Sequence, residues 1–428
     1  TTGMAGRATP SGADRGARAA EFAESSDLSE PAESAESAGA VGAPGPGTSG
    51  RRRRVLEVSG SAVGGVRAHL GDCARLLARA GHDVIVEAPG AVLGGIDLGG
   101  ARGEALEIGP RPSPGDPAVV ARLRRLGRSA DVVHAHGLRA GALTGLALGR
   151  RRPGRTRLVV TLHNLTVGGR LARAVGERLE RLVAARADLV LAVSPDLAER
   201  ASRRGATQVE IAVIPAPPRT PTDPAPRASA TESAWRGQGR RLLTVARLAP
   251  QKGIGLLLDA ADVLRTRAAN GELPAFVWAV AGEGPGSRAA RERASAQELP
   301  VRLLGGRDDV PVLLREADVV IQTSLWEGQP LVVQEALRAG SAIVATDVGG
   351  TALTARGGAV LVEPDAEALA GAVMDLLSDD GLLAAARERA RAASRGLPGA
   401  DSLSEQLTER VLGGDEAGAG GRESERVR

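Results

Sequence analysis

The sequence predicts an α/β protein built from two Rossmann-like parallel-sheet domains that face a central cleft. Three observations predict it. Short apolar runs alternate with helical patterns along most of the chain, the pattern of parallel strands joined by crossover helices. A proline-rich stretch at 216–239 interrupts that alternation once. The length, 428 residues, suits two domains of ordinary size.

The elements follow in chain order. Residues 1–50 are rich in Ala, Gly, Ser, Pro and Glu and lack periodicity, so a disordered tail is expected there. Arg51 to Arg54 abut the first strand, as a solvated entry or a contact for anionic lipid. The first domain, 51–215, should hold strands at Val55–Ser59, Asp83–Ala88, Glu104–Ile108, Asp131–His134, Leu158–His163, Asp188–Ser194 and Glu210–Pro215. Helices such as Val66–Ala80 and Arg170–Ala187 lie between them. Residues 216–239 carry too much proline to continue either element and read as a linker. The second domain, 240–413, should hold strands at Leu242–Ala246, Phe276–Ala281, Val301–Leu304, Asp318–Thr323, Ala342–Thr346 and Ala359–Val362. Its helices are expected near 254–269, 286–297, 331–339, 366–378 and 382–394, with a last one at 403–412 and a disordered tail at 414–428.

Composition excludes several function classes. Of 55 basic residues only Lys252 is a lysine, so any lysine-dependent chemistry must use it. There is no tyrosine, which removes dehydrogenases that depend on a Tyr-x-x-x-Lys pair. A single cysteine, Cys73, excludes an internal disulfide and a cysteine-ligated zinc site. The net charge is only +4, and the basic residues lack interleaved aromatics, which argues against nucleic acid as a partner. No apolar run reaches the roughly 18 residues of a membrane span, and no signal peptide is visible, so a cytoplasmic chain is expected. Asn164-Leu165-Thr166 matches a glycosylation acceptor by chance on that expectation.

In open α/β sheets ligands sit outside the carboxyl ends of the strands. Gly64 and Gly65 close the turn after the first strand, where a helix N-terminus favours an anion. The segment is neither GxGxxG nor a phosphate-binding GxxxxGK[ST] loop. Glu87 ends the second strand where an NAD enzyme would bind ribose, but the rest of that fingerprint is absent. Arg247 and Lys252 follow the first strand of the second domain and would both face the cleft. A planar fork, a compact charge and a helix N-terminus suit a diphosphate. Glu327 lies in the loop Trp326-Glu327-Gly328-Gln329-Pro330, and Glu335 on the helix that follows, with Pro330 expected at its first position. Two such carboxylates suit hydroxyls on two parts of one ligand. His163 ends its strand at the same cleft edge, as a cleft group or a packed one. His134 and His136 point to one face, which leaves a core role open for either; with no third ligand apparent, no metal is expected.

Taken together, Gly64-Gly65, DVVHAHG (131–137), TLHN (161–164), Arg247 with Lys252, VAGEGPG (280–286) and EGQPLVVQE (327–335) resemble the retaining family-4 glycosyltransferases of the GT-B fold, also called glycosyl transferases group 1. The likeness covers about 55–395. It implies transfer of a sugar from a nucleotide diphosphate sugar, UDP-linked by expectation, to an acceptor hydroxyl with retention and no cofactor. It implies that Arg247 and Lys252 bind the donor diphosphate, that Glu327 accepts sugar hydroxyls and that Glu335 binds ribose. The loop of Gly64 and Gly65 would lie against the diphosphate. The backbone of Gly328, Gln329, Pro330 and Leu331 would lie near sugar or phosphate, Gly282 and Gly284 would line the donor site, and Gly305 to Arg307 would meet the base. His163 would stand by the reacting sugar, with His134, His136 and Asn164 on the acceptor side. One departure is that Gly349-Gly350 is followed by Thr351-Ala352 where the family often has Glu. The arginine-bearing helix 170–187 could dock peripherally on the inner face of a membrane and so meet a glycolipid acceptor. The alternatives are a GT-B phosphorylase or hydrolase, or a non-catalytic nucleotide-sugar-binding protein.

Overall fold

The structure, a computed structural model, describes residues 51–62, 64–165, 169–217, 234–235 and 239–413. The two expected tails and most of the expected linker lie outside those residues.

In the first domain the strands are β1 (Arg54–Ser59), β2 (Asp83–Ala88), β3 (Arg102–Ala105), β4 (Val132–His136), β5 (Arg157–Leu162), β6 (Leu189–Ala192) and β7 (Val209–Ile211). Between them run α1 (Gly65–Arg79), α2 (Gly90–Leu93), α3 (Asp116–Gly127), α4 (Leu138–Leu148), α5 (Arg170–Arg186) and α6 (Pro195–Arg203). Among the described residues the sheet has seven strands in the order β3-β2-β1-β4-β5-β6-β7, all pairs parallel.

The second domain repeats the plan with β8 (Arg240–Val245), α7 (Ile254–Ala269), β9 (Phe276–Ala281), α8 (Ser287–Ala296), β10 (Val301–Gly305), α9 (Val310–Glu316), β11 (Val319–Gln322) and α10 (Leu331–Ala339). It continues through β12 (Ala342–Thr346), α11 (Thr351–Ala355), β13 (Val360–Val362), α12 (Ala366–Ser378) and α13 (Asp380–Ser394). Its sheet has six described strands in the order β10-β9-β8-β11-β12-β13, again all parallel.

Both strand orders reverse beside the first strand of their domain. β1 lies between β2 and β4, and β8 between β9 and β11. Such a switch point leaves a crevice, because the helices on its two sides pass to opposite faces of the sheet. The Gly64-Gly65 turn follows β1, and Arg247 with Lys252 follows β8. Strands buried on both faces need continuous apolar runs; β6 is LVLA and β9 is FVWAVA, with every residue buried.

Several boundaries differ from the sequence reading. β3 ends at Ala105, before the expected apolar stretch to Ile108, whose buried side chain joins the core from a loop. β7 stops at Ile211 because the backbone of 213–216 turns its hydrogen bonds to glutamine side chains. Ala234 and Trp235 sit inside the expected linker yet are buried; the Trp235 indole packs on the second core and donates to Glu316 Oε2 at 2.8 Å. The C-terminal segment begins earlier than expected, as α14 (Ala400–Gln406), and continues in a wider turn, Leu407–Val411. Leu403, Leu407, Val411 and Leu412 pack into the first domain's core, so the chain returns to the domain where it started. Arg157 anchors that return by donating to the carbonyls of Arg410 and Val411 at 3.0 and 3.2 Å.

Candidate functional site

At the switch point of the second sheet, the Arg247 side chain is exposed and has no hydrogen-bond or ion-pair partner among the described residues. Lys252 closes a short 3-10 turn, Pro250–Lys252. Gly253 follows at φ 63°, and a Cβ there would lie 1.8 Å from the carbonyl oxygen of Thr323. Only glycine allows the β8–α7 loop to lie flat on the loop after β11. Two hydrogen bonds stitch the loops together: the Thr323 side-chain Oγ1 donates to the Lys252 carbonyl at 2.9 Å, and Leu325 N donates to the Gln251 carbonyl at 2.8 Å.

That stitching brings Lys252 Nζ to 2.5 Å from Glu327 Oε1, and Ser324 Oγ donates to the same oxygen at 2.5 Å. The Glu327 side chain is 7% exposed and the Lys252 side chain 26%. Oε2 of Glu327 receives no hydrogen bond among the described residues. Sequence spacing put these two charges 75 positions apart; the fold makes them one ion pair at the crevice.

The neighbouring loops come as close as glycine permits. Gly282, at φ 135°, would place a Cβ 1.9 Å from the Ala246 carbonyl, and Gly284 would place one 2.5 Å from the Leu248 carbonyl. Gly282 N donates to the Gly305 carbonyl at 2.7 Å, so the ends of β9 and β10 are joined there. Arg307 pairs with Asp309, its Nε donating to Oδ1 at 2.7 Å.

Pro330 is not the first helical residue but the one before it, at φ −66° and ψ 115°, because its extended ψ turns the chain from the Glu327 loop into α10. Glu335 lies inside α10 and is 8% exposed. Gln329 does not aim its side chain at a ligand. Its Nε2 donates to the Ala212 carbonyl at 2.5 Å, and its Oε1 accepts from Ile214 N at 3.3 Å, tying the loop to the first domain. Gln334, unremarked in the sequence, does the same with Ala216 N at 2.9 Å and the Ile214 carbonyl at 2.8 Å. Trp326 Nε1 donates to Asp196 Oδ2 at 2.8 Å. Gly65 faces Leu331, where a Cβ would meet Cδ1 at 3.4 Å. A Cβ on Gly328 would meet Val193 Cγ2 at 2.5 Å. The Gly64-Gly65 turn, the end of β6 and the Glu327 loop therefore meet across the cleft. The departure at Thr351 is filled by the helix α11, whose preceding Gly350 donates its N–H to the Glu327 carbonyl at 3.0 Å.

On the first domain His163 directly follows β5 and is 8% exposed, with Asn164 exposed just beyond it. His134 and His136 are both fully within the interior, and neither is isolated. Parallel registry sets Glu57 opposite His134, and His136 opposite Thr161. Glu57, 0% exposed, takes His136 Nε2 at 2.7 Å and His134 Nδ1 at 3.1 Å. His134 Nε2 meets Thr161 Oγ1 at 2.8 Å, and His136 Nδ1 meets His163 Nε2 at 3.4 Å. From α1, His69 stands edge-on to His136 and His163 at 5.5 Å between centroids, with Cys73 Sγ 3.5 Å from His69 Nε2. Burial pushes Glu57 up, but the charges and hydrogen bonds of His134 and His136 pull it further down, to about 2. Burial holds His69 and His163 well below the ordinary imidazole value, and His136 below it, each aided by neighbouring histidines. Burial pushes the Cys73 thiol well up.

Glu57, His69 and Cys73 were missed in the sequence, and a third ligand was thought lacking. His69 in fact stands with His136 and His163, and Cys73 with His134 and His136, close enough to share one ion. Glu57 could have been noticed: VLEVS places a lone carboxylate inside an apolar strand. Glu87, set aside as a ribose acid, is buried against Arg122, which donates to it from Nε at 2.9 Å and Nη2 at 2.8 Å.

Two facing parallel-sheet domains with polar loops gathered at their carboxyl edges define the GT-B glycosyltransferase architecture. The glycosyl transferases group 1 family matches residues 228–393, and the glycosyl transferase 4-like domain matches 64–217. Two proteins of Mycolicibacterium smegmatis are each 30% identical: a phosphatidyl-myo-inositol mannosyltransferase, over 76% of this chain and 85% of its own, and a GDP-mannose-dependent alpha-(1-6)-phosphatidylinositol monomannoside mannosyltransferase, over 62% and 72%. Anabaena Alr3699/HepE, solved in complex with UDP, superposes with a TM-score of 0.66 at 20% identity, covering 83% of this chain and 98% of that one. WaaG, a glycosyltransferase involved in lipopolysaccharide biosynthesis, gives 0.61 at 18%, covering 84% and 100%. The chain belongs to the glycosyl transferases group 1 family and is a glycosyltransferase.

Proposed function

We propose that the protein transfers a sugar, with retention of configuration, from a nucleoside diphosphate sugar to an acceptor hydroxyl. The observation that carries the reading is the Lys252–Glu327 pair at the switch point of the second sheet, with the exposed Arg247 on the same connection after β8. Two cations at a crevice suit a diphosphate and stabilise the charge that develops on it as the glycosidic bond breaks. Glu327 keeps Oε2 available to accept a sugar hydroxyl. Glu335 is assigned to ribose, Gly282, Gly284 and Gly305 to the close approach of nucleotide to backbone, and the Arg307 segment to the base. His163 is assigned to the acceptor edge, where catalysis consists of positioning. A phosphorylase using pyridoxal phosphate would need a lysine for the cofactor, and Lys252 is engaged with Glu327.

The acceptor we propose is membrane-borne. The first turns of α5 are exposed, with Leu171 79% exposed beside exposed Arg170 and Arg173. That combination suits docking on the anionic inner face of a membrane by a peripheral, cytoplasmic enzyme. Among the described residues no helix is long and apolar enough to cross one.

The test is a donor panel of UDP-glucose, UDP-N-acetylglucosamine and GDP-mannose. UDP sugars follow from the motif resemblance, and GDP-mannose from the name of one relative. Thermal stabilisation by one donor, followed by transfer to a glycolipid with the anomeric configuration kept, is the expected result. Inversion at the anomeric carbon, or stabilisation by none of the donors, would overturn the proposal.

A further inference from the structure

We propose that Glu57 is a positioning residue: acting through His136, it holds His163 as the Nε2–H tautomer and leaves Nδ1 as the bare nitrogen. The proposal rests on the reading of His163 as an acceptor-side group, but the tautomer itself is measurable without turnover.

The argument is a count of protons. A neutral imidazole carries one N–H, and the hydrogen bond at one nitrogen decides the state of the other. Glu57 is a buried carboxylate and can only accept, so both histidines facing it must donate. His136 then spends its N–H at Nε2, 2.7 Å from Glu57 Oε2. Its Nδ1 is bare, and at 3.4 Å it faces His163 Nε2, which must therefore carry the proton of that ring. His134 obeys the same rule. Nδ1–H points at Glu57, and Nε2 meets Thr161 Oγ1 at 2.8 Å. From α1, His69 stands edge-on to His163 and Cys73 lies against His69, and neither supplies a competing charge: burial disfavours the imidazolium of one and the thiolate of the other.

A metal is the rival explanation for four histidines and the chain's one cysteine in a single cluster. On His134 and His136 the nitrogens that would converge on an ion are already engaged, each with a hydrogen-bond partner. A hydrogen-bonded chain accounts for the distances; a metal would have to break it. In catalytic triads a carboxylate fixes an imidazole directly in this way. Here one more ring stands between the carboxylate and the imidazole that reaches the cleft edge.

The experiment uses the full chain with ¹⁵N-labelled histidine and long-range ¹H–¹⁵N correlation spectra near pH 7.5, His163 being assigned by His163→Gln. The wild type should show His163 protonated at Nε2. In Glu57→Gln the new amide offers an N–H to one histidine and a carbonyl to the other, so the His163 tautomer should mix or reverse. Should that variant not fold, His136→Gln breaks the same chain at its middle link, and Nε2–H should lose its dominance. With transfer established, Glu57→Gln should lower kcat at least about 10-fold and leave donor KM within about 2-fold. An Nδ1–H tautomer in the wild type, an unchanged tautomer in both variants, or about one bound divalent metal per purified chain would overturn the proposal. Absence of transferase activity with the expected tautomers would sink only the functional reading.

Discussion

Replacing Lys252 by alanine should cost both stability and donor affinity, and the two losses can be separated. The ammonium lies 2.5 Å from Glu327 Oε1. Its removal leaves a carboxylate that is 7% exposed with Ser324 as its one hydrogen-bond donor among the described residues. Unpairing a buried charge costs about 3–5 kcal/mol, and the 26% exposure of Lys252 lets water replace part of it, giving about 2 kcal/mol. For a domain of this size that is a fall in Tm of roughly 4–8 °C. Loss of one charge-assisted contact to a diphosphate costs about 1.5–3 kcal/mol, or roughly 10- to 150-fold in kcat/KM. In a thermal-shift assay a donor at 100 times Kd stabilises the wild type by about 2.7 kcal/mol. A 30-fold weaker site at the same concentration would show only about 0.9 kcal/mol. Lys252→Ala combined with Glu327→Gln should recover part of the stability, because the stranded charge is gone, and none of the donor response. An unchanged donor shift in Lys252→Ala would refute the assignment of this side chain to the diphosphate. An unchanged Tm would refute the claim that it neutralises Glu327.

Gly253→Ala should destabilise the second domain by about 3 kcal/mol, since the φ of 63° and the 1.8 Å approach to Thr323 both oppose a Cβ; denaturant unfolding measures it. Trp326→Phe removes the indole bond to Asp196 across the cleft and should cost about 1.5–3 kcal/mol on unfolding, a charged acceptor being involved; a wild-type midpoint would show that the bond is immaterial. Stability should also fall with acid in two stages. His69, His136 and His163 have lowered folded values, so the unfolded chain binds more protons as pH drops below about 6.5. The slope should approach about 4 kcal/mol per pH unit at most, for three such groups. Glu57, depressed to about 2, adds a stabilisation that is whole above about 4.5 and is lost as pH falls toward 2. A Tm that is flat from pH 7.5 to 5 would contradict the neutral buried histidines. Leu171→Glu with Arg173→Glu should abolish flotation with anionic vesicles and leave the Tm within about 2 °C, both side chains being exposed.

The sequence made the sheets legible because fully buried parallel strands are apolar throughout, and LVLA or FVWAVA admits few other readings. It made the second-domain loop residues legible because they follow strand ends, which in a parallel sheet all lie at one edge. What it hid are contacts set by strand order. Glu57 and His136 are 79 positions apart, and only the placement of β4 beside β1 puts them together. Trp235 was hidden for the opposite reason: its neighbours are linker-like, and one buried indole among them gives no period. The resemblance puts Gln329 near the donor and gives Gln334 no role, yet the side chain of each fills a need of the 212–216 backbone. Pairing with unstructured backbone leaves no periodic trace in a sequence.

The one lysine among 54 arginines acquires a physical reason at this site. Arginine elsewhere pairs with carboxylates by its planar fork, as Arg122 does with both oxygens of Glu87. An arginine facing Glu327 would be drawn into the same bidentate pairing, taking up both carboxylate oxygens and turning its donors away from the crevice. The ammonium of Lys252 reaches Glu327 through one N–H, on Oε1, and has two more donors to turn elsewhere. It therefore neutralises the carboxylate, keeps Oε2 open and still presents positive charge toward the crevice. A guanidinium meets the first of these needs at the expense of the other two.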